Sequence, residues 1–160
     1  MKNIKYYKIL KNIYSESIIS THQYITTIFR PFYSPISEII KWVPTNAKVL
    51  DIGSGTGLLL FLLQDVIGID KSYGFDINEK SIKIAKLVNP YKHIKFNNSN
   101  NSNNMNNILK DINIVTMIDV LHHVPQKEKI SFLLNILNHI PSGSQIIIKE
   151  PWRVLGITIP

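Results

Sequence analysis

Along the first 45 residues apolar side chains recur at helical steps, and from Ala47 onward they gather into short runs separated by polar helical stretches. Ile4, Tyr7, Leu10, Tyr14 and Ile18 lie three or four residues apart, which places them on one helical face. Pro31 and Pro35 break this lead-in, and Ser37 to Trp42 predicts one more short helix stopped near Pro44. AKVLDI (47–52) is a short apolar run ending at a glycine cluster, the profile of a buried parallel strand. Leu58 to Gln64 predicts a buried helix and Tyr73 to Ile77 a second strand. Glu79 to Val88 predicts a helix with Ile82, Ala85 and Leu87 inward, Asn78 as cap and Asn89-Pro90 as stop. His93 to Phe96, Ile112 to Ile118 and Gln145 to Lys149 read as three further strands. A helix over Lys127 to Asn138 and a Pro141-Ser142-Gly143 turn separate the last two.

Strands alternating with helices imply βαβ units, right-handed crossovers and a mostly parallel sheet, so the predicted class is α/β, doubly wound. The division expected is a helical lead-in over 1–45 and an α/β core over 46–160. Between Asn97 and Asn107 the chain reads NNSNNSNNMNN, a polar tract without apolar periodicity that predicts a flexible loop.

The bulk numbers narrow the function classes. A chain of 160 residues, 44% hydrophobic and 18% charged, forms one globular domain with a substantial core. It has no cysteine, which excludes disulfides and thiolate metal sites. The longest apolar run, Leu58 to Leu63, is far below the roughly 20 residues of a membrane span. The N-terminus lacks the pattern of a secretory signal, so the expected address is cytoplasmic. The net charge of +7 comes from dispersed lysines, with a spaced set at Lys2, Lys5, Lys8 and Lys11 and only two arginines, Arg30 and Arg153. A dispersed Lys excess reads as a solvated surface, which argues against nucleic acid as a partner.

The candidate chemistry sits in Asp51-Ile52-Gly53-Ser54-Gly55-Thr56-Gly57, between a predicted strand and a predicted helix. Glycines there permit a tight turn and bring a ligand close to main-chain N–H groups. The spacing departs from the dinucleotide fingerprint G-x-G-x-x-G, because Leu58 stands where that motif has its third glycine. A P-loop is excluded, since no Gly-Lys-Ser/Thr follows. Asp51 beside the turn would repel a phosphate and suits a cation. S-adenosyl-L-methionine carries an ammonium and a sulfonium and no phosphate, so the turn favours that ligand.

VLDIGSGTG (49–57) resembles the first motif of class I S-adenosylmethionine-dependent methyltransferases. TMIDVLHHVP (116–125) is similar to the segment closing that family's fourth strand, and IIIKEP (146–151) to its fifth strand and exit. The resemblance covers roughly residues 47–151 and implies a Rossmann-like methyltransferase fold with S-adenosyl-L-methionine as cofactor. It implies that Asp51, Gly53 and Gly55, with Ser54 and Gly57 in the same turn, hold the amino-acid end of the cofactor. An acid ending the second strand would hold the ribose, and two candidates exist, Asp70 and Asp76. Asp70 leaves a cramped interval after Gly57, whereas Asp76, with Ile77 beside it, lies close to the separation of about 20 residues expected for ribose recognition. Asn100 falls where many relatives place an adenine-binding acid, and its amide oxygen can accept the same hydrogen bond.

Methyl transfer from a sulfonium needs alignment more than proton chemistry, and a base only where the acceptor is protonated. His123 and His122 are the candidates for that base; the bland alternative has one capping a turn and the other packing nearby. Asp119 reads as an orienting group for the methionine moiety or the local backbone. No spaced carboxylate or third histidine accompanies the pair, so no metal site is expected. Glu150 and Trp152, after the fifth strand, are candidates for the acceptor pocket, with edge roles equally open. Relatives continue past the fifth strand through a helix and a two-strand hairpin, for which this sequence has no room before Pro160. The expectation is therefore a missing C-terminal hairpin, with WRVLGITIP supplying one edge strand at most. An unpaired apolar edge invites self-association, so a homodimer or a marginally stable chain is expected. The function read from all this is methyl transfer to a small organic acceptor, a lipid included, with a truncated, non-catalytic cofactor- or partner-binding module as the alternative. The Tyr-rich lead-in reads as a lid over the cofactor, its other reading being a helix lying on a membrane surface.

Overall fold

A computed structural model describes residues 2–14, 19–99 and 105–150. Three helices come first, α1 (Lys2–Ile13), α2 (Thr21–Tyr33) and α3 (Ile36–Trp42). Then follow β1 (Val49–Ile52), α4 (Leu58–Ile67), β2 (Ser72–Asp76), α5 (Glu79–Val88), β3 (Ile94–Asn98), α6 (Met105–Leu109), β4 (Ile114–Ile118), α7 (Lys129–Leu137) and β5 (Gln145–Lys149). The five strands form one parallel sheet in the order β3-β2-β1-β4-β5. This is the doubly wound α/β fold that the alternation of elements predicts. Its order reverses direction beside β1, so a crevice opens at the carboxyl ends of β1 and β4.

Each face of the sheet has its own core. Val49, Ile94, Phe96 and Ile114 point to one side, where α4 packs and α1–α3 close over it. Leu50, Ile52, Phe75, Val115 and Met117 point to the other, against Leu109 of α6 and Ile136 of α7. The first six residues of helix α4, Leu58 to Leu63, are all apolar and buried, because they lie between the sheet and the N-terminal helices. Phe61 at its centre has no exposed surface, and truncating such a ring costs about 3–5 kcal/mol. Asn78 caps α5 by accepting from the N–H groups of Lys80 and Ser81 at 3.0 and 3.2 Å, as its position before Glu79 predicts.

Several expectations are corrected. Pro31 does not break the lead-in: it is buried inside α2, which runs to Tyr33. The stop comes at Ser34, whose extended backbone leads into Pro35 at the start of α3. On α1 the inward face is Tyr6 and Leu10, continued by Tyr14, while Ile4 is 54% exposed. Leu87 of α5 points outward and Val88 takes the buried place. The polar tract 97–107 is partly regular, since Asn97 and Asn98 extend β3 in register with β2, and α6 begins at Met105. Main-chain pairing and the buried Ile108 and Leu109 outweigh polar composition there. The expectations placed on Asn100, Trp152 and the segment 152–160 lie outside the described residues, as does Ile18.

Candidate functional site

The site grows from the end of β1. Asp51 stands on the α4 side of the sheet, 3% exposed, directly in register with Thr116 of β4. The Thr116 hydroxyl donates to its Oδ1 at 2.6 Å. Burial pushes the Asp51 carboxyl up to about 7; the Thr116 hydrogen bond opposes this, the charge of Asp76 adds to it, and Arg30 pulls it back. Near neutral pH this carboxyl is poised between charged and neutral, and a cation beside it would tip it to the charged form.

The chain then turns on backbone hydrogen bonds. The N–H groups of Gly53 and Ser54 both donate to the carbonyl of Phe75, at 2.7 and 3.0 Å, and Gly57 N–H donates to Ser54 O at 2.9 Å. Gly55 N–H donates to Asp76 Oδ2 at 2.8 Å, while Asn78 N–H donates to Oδ1 at 2.7 Å. The ends of β1 and β2 are thereby stitched together, and Asp76 is fixed against the glycine turn. Two glycines are indispensable to it. Gly53 has φ +76°, and a Cβ there would collide with the side chain of Val120. Gly57, φ +94°, starts α4 where a Cβ would run into the rings of Phe61 and Phe96. The buried Ser54 hydroxyl has no hydrogen-bond partner among the described residues.

Above the turn lies a cleft of about 130 Å³, floored by Asp51, Gly53, Ser54 and Gly55 and roofed by Thr26, Thr27, Arg30 and Tyr33 of α2. Buried Tyr14, just past α1, donates its hydroxyl to Thr56 O at 2.8 Å and so ties the helical lead-in to the turn. Arg30 reaches from the roof to Asp119 Oδ2 at 3.3 Å, and Lys149 holds Oδ1 at 2.6 Å. Asp119, just past β4, has φ +59°, rare for a residue with a side chain; these two cations hold it there.

Next to it the chain makes a short turn over Leu121–His123. Glu150 supplies its frame: Oε1 accepts from the N–H groups of Val120 and Leu121 at 3.0 and 2.8 Å, and Oε2 from His122 N–H at 3.1 Å. Oε2 also meets His122 Nδ1 at 2.8 Å. Partial burial opposes ionisation of Glu150, but the His122 ring and the three N–H groups outweigh it and hold its carboxyl below the usual range. The His122 and His123 rings lie 3.9 Å apart.

The sequence-predicted residues therefore divide. Asp51, Gly53, Ser54 and Gly55 share one cleft, Asp76 is bonded to Gly55, and Gly57 opens α4. Asp119 is joined to the cleft through Arg30. Ile77 lies beyond the end of β2 with 72% of its surface exposed. Neither His122 nor His123 lines the cleft. Glu150 organises the turn at 120–122 by accepting from three of its N–H groups. Arg30 and Thr116 were not among the candidates; the sole arginine in a lysine-rich lead-in was the available signal for the first. Among the described residues no group of His, Asp and Glu could hold a metal ion, and no helix is long and apolar enough to cross a membrane.

Comparisons with known proteins bear on this geometry. A family model described as a methyltransferase domain matches residues 24–155. No curated protein matches the sequence. A SAM-dependent methyltransferase from Archaeoglobus fulgidus superposes with a TM-score of 0.63 at 23% identity, covering 82% of this chain and 59% of that one. A TehB-like SAM-dependent methyltransferase from Corynebacterium glutamicum gives 0.57 at 20% identity, covering 71% and 59%. A SAM-dependent methyltransferase from Geobacter sulfurreducens, in complex with S-adenosyl-L-homocysteine, gives 0.53 at 17% identity, covering 71% and 46%. The chain thus spans about half to three fifths of these solved structures, and the likeness is one of fold.

Proposed function

Since the chain belongs to the methyltransferase-domain family, we propose that it binds S-adenosyl-L-methionine and transfers its methyl group in line to a small organic acceptor in the cytoplasm. The observation that carries this reading is the pairing of opposite charges at one cleft. A buried carboxylate, Asp51, and a guanidinium, Arg30, face the same small space beside a glycine turn. An amino-acid group carries an ammonium and a carboxylate, and that space offers one partner for each. The unpartnered Ser54 hydroxyl adds a further polar contact.

The cofactor supplies a methyl on a sulfonium, whose departure as a thioether needs no proton. This chain's residues bind and align. Asp51 takes the ammonium, and Gly53 and Gly55, with Ser54 and Gly57 in the same turn, let main chain approach it closely. Asp76 takes the ribose: each of its oxygens already accepts one N–H and keeps a lone pair for a hydroxyl. Ile77 packs beside the nucleoside and Asn100 accepts from the adenine. Asp119 positions Arg30. Where the acceptor is protonated, His123 or His122 serves as base, with Glu150 holding the turn that carries both. The cleft of about 130 Å³ is smaller than the roughly 300–1,000 Å³ of sites enclosing whole small molecules. Helix α2, which roofs the cleft, accordingly acts as the lid of the helical lead-in, shifting outward to admit the nucleoside while Tyr14 keeps α1 on the glycine turn.

Titration calorimetry with S-adenosyl-L-methionine and S-adenosyl-L-homocysteine tests the reading. Binding of both is expected, and binding of neither overturns it. Methyl transfer to a panel of phenols, carboxylic acids, amines and lipids then separates an enzyme from a module that only holds the cofactor.

A further inference from the structure

We propose that the outer face of the N-terminal helical pair, α1 and α2, is a docking surface for an anionic lipid bilayer. Neither helix contains an acidic residue. Lys5 and Lys8 of α1 lie on the side away from the buried Tyr6 and Leu10, with Lys2 and Lys11 flanking them. Among the described residues none of these four lysines forms an ion pair. The fifth cation of the pair, Arg30, is turned inward to Asp119.

Next to this charge lies an apolar surface of the kind that enters a lipid interface. On α2, Ile25, Phe29, Phe32 and Tyr33 are 43–67% exposed, and on α1 Ile4 is 54% exposed. The Phe29 ring stands 5.4 Å from Tyr7 and 5.8 Å from Phe32, so the two helices present one aromatic cluster. A solvated face would carry both signs of charge and scattered apolar groups. Here positive charge and aromatic rings coincide, which is the arrangement that binds headgroup phosphates while burying rings at the acyl boundary. Charge complementarity commits the surface to an anionic membrane. Nucleic acid is the poorer partner, because the exposed groups include aliphatic side chains and the one arginine of the pair is turned inward. The same helix α2 roofs the cleft with an adjoining side, Tyr33 belonging to both, so docking would hold the cleft's entrance beside the lipid surface. The inference does not depend on methyl transfer.

Sedimentation with extruded vesicles tests it on the full chain. Vesicles of phosphatidylcholine containing phosphatidylserine should carry the protein down at low salt and release it at high salt, while pure phosphatidylcholine should not. Lys5→Ser with Lys8→Ser should weaken partitioning by about fivefold per lysine. Phe29→Ser with Ile25→Ser should weaken it by about tenfold, with the far-UV circular dichroism spectrum unchanged. Three results would overturn the proposal. The first is absence of binding to phosphatidylserine vesicles, and the second is tighter, salt-sensitive binding to single-stranded RNA than to those vesicles. The third is a dimer by light scattering that Phe29→Ser dissolves, showing that a second copy covers the rings.

Discussion

Two turns leave the carboxyl edge of the sheet side by side, one after β1 and one after β4, and they are held by different forces. The first, 53–57, is a backbone device: its N–H groups find the carbonyls of Phe75 and Ser54 and one carboxylate oxygen of Asp76, and its shape needs glycine at positive φ. The second, 119–123, is held by charges reaching from far along the chain. Glu150 frames it, Lys149 and Arg30 pin Asp119, and a non-glycine residue sits at positive φ as a result. Apart from its one bond to Asp76, the backbone-held turn has no ionisable partner, whereas the charge-held turn depends throughout on what is ionised. Asp51, lying between them, feels both.

The largest effect is expected at Asp51. Its carboxyl is raised from 3.8 to about 7, so the folded chain binds a proton more tightly than the unfolded one between those values. Stability attributable to this group is then highest below about pH 4 and falls as pH rises to 7, by up to about 4 kcal/mol from the size of the shift. Asp51→Asn removes that cost while keeping an oxygen for Thr116. It should raise stability in urea unfolding at pH 8 and weaken S-adenosyl-L-methionine binding by about a hundredfold, through loss of a charged partner. A variant that was both less stable and equally good at binding would show that the charge has no part in the site. In the unaltered protein, affinity measured by calorimetry should rise with pH up to about 7, by as much as roughly tenfold per unit, as Asp51 ionises.

Gly53→Ala strikes the backbone-held turn alone. The added methyl meets Val120 and the residue is forced to keep φ +76°, so a loss of about 2–4 kcal/mol in urea unfolding is expected, with no dependence on pH. Glu150→Gln is the counterpart for the charged turn. It leaves an oxygen for the N–H groups of Val120 and Leu121 but sets an amide NH2 against the His122 N–H and removes the charge, and should cost about 1–3 kcal/mol near neutral pH. The sign of its pH dependence is opposite to that of Asp51. The Glu150 pKa is depressed, so its contribution is present above the ordinary carboxylate range and disappears as pH falls through the folded value. The variant should flatten the acid limb of a melting-temperature profile. Arg30→Gln is the mildest. Its ion pair with Asp119 is partly exposed, which limits the stability change to below about 1 kcal/mol. Its effect should appear instead in a weaker affinity for S-adenosyl-L-methionine.

The same contrast explains what could be read from the chain. The β1 turn was legible because glycine spacing and an adjacent acid are local, and so was its link to Asp76, set by the length of one helix and one strand. The α5 cap at Asn78 and all five strands followed from periodicity and turn residues. Arg30 over Asp51 was not legible, because it depends on how the N-terminal helices fold back onto α4. Glu150 reads from sequence as pocket lining or an edge residue alike, and its three accepted N–H bonds come from residues about 30 positions earlier, beyond the reach of local pattern. Pro31 misled because a proline breaks a helix only when the lost hydrogen bond and ring clash are not offset; here burial of the α2 face offsets them.

The contact between Tyr14 and the glycine turn carries a consequence for how the molecule opens. A terminal helix ordinarily frays and exchanges its amide protons quickly. Here detaching α1 would strip the Thr56 carbonyl of its donor and uncover the Phe61 ring, against which Tyr14 packs at 6.1 Å. The first helix and the fourth are therefore expected to share one cooperative unit, and deuterium should enter the amides of Tyr6 to Ile13 at the pace of Leu60 and Phe61, not at that of a free end.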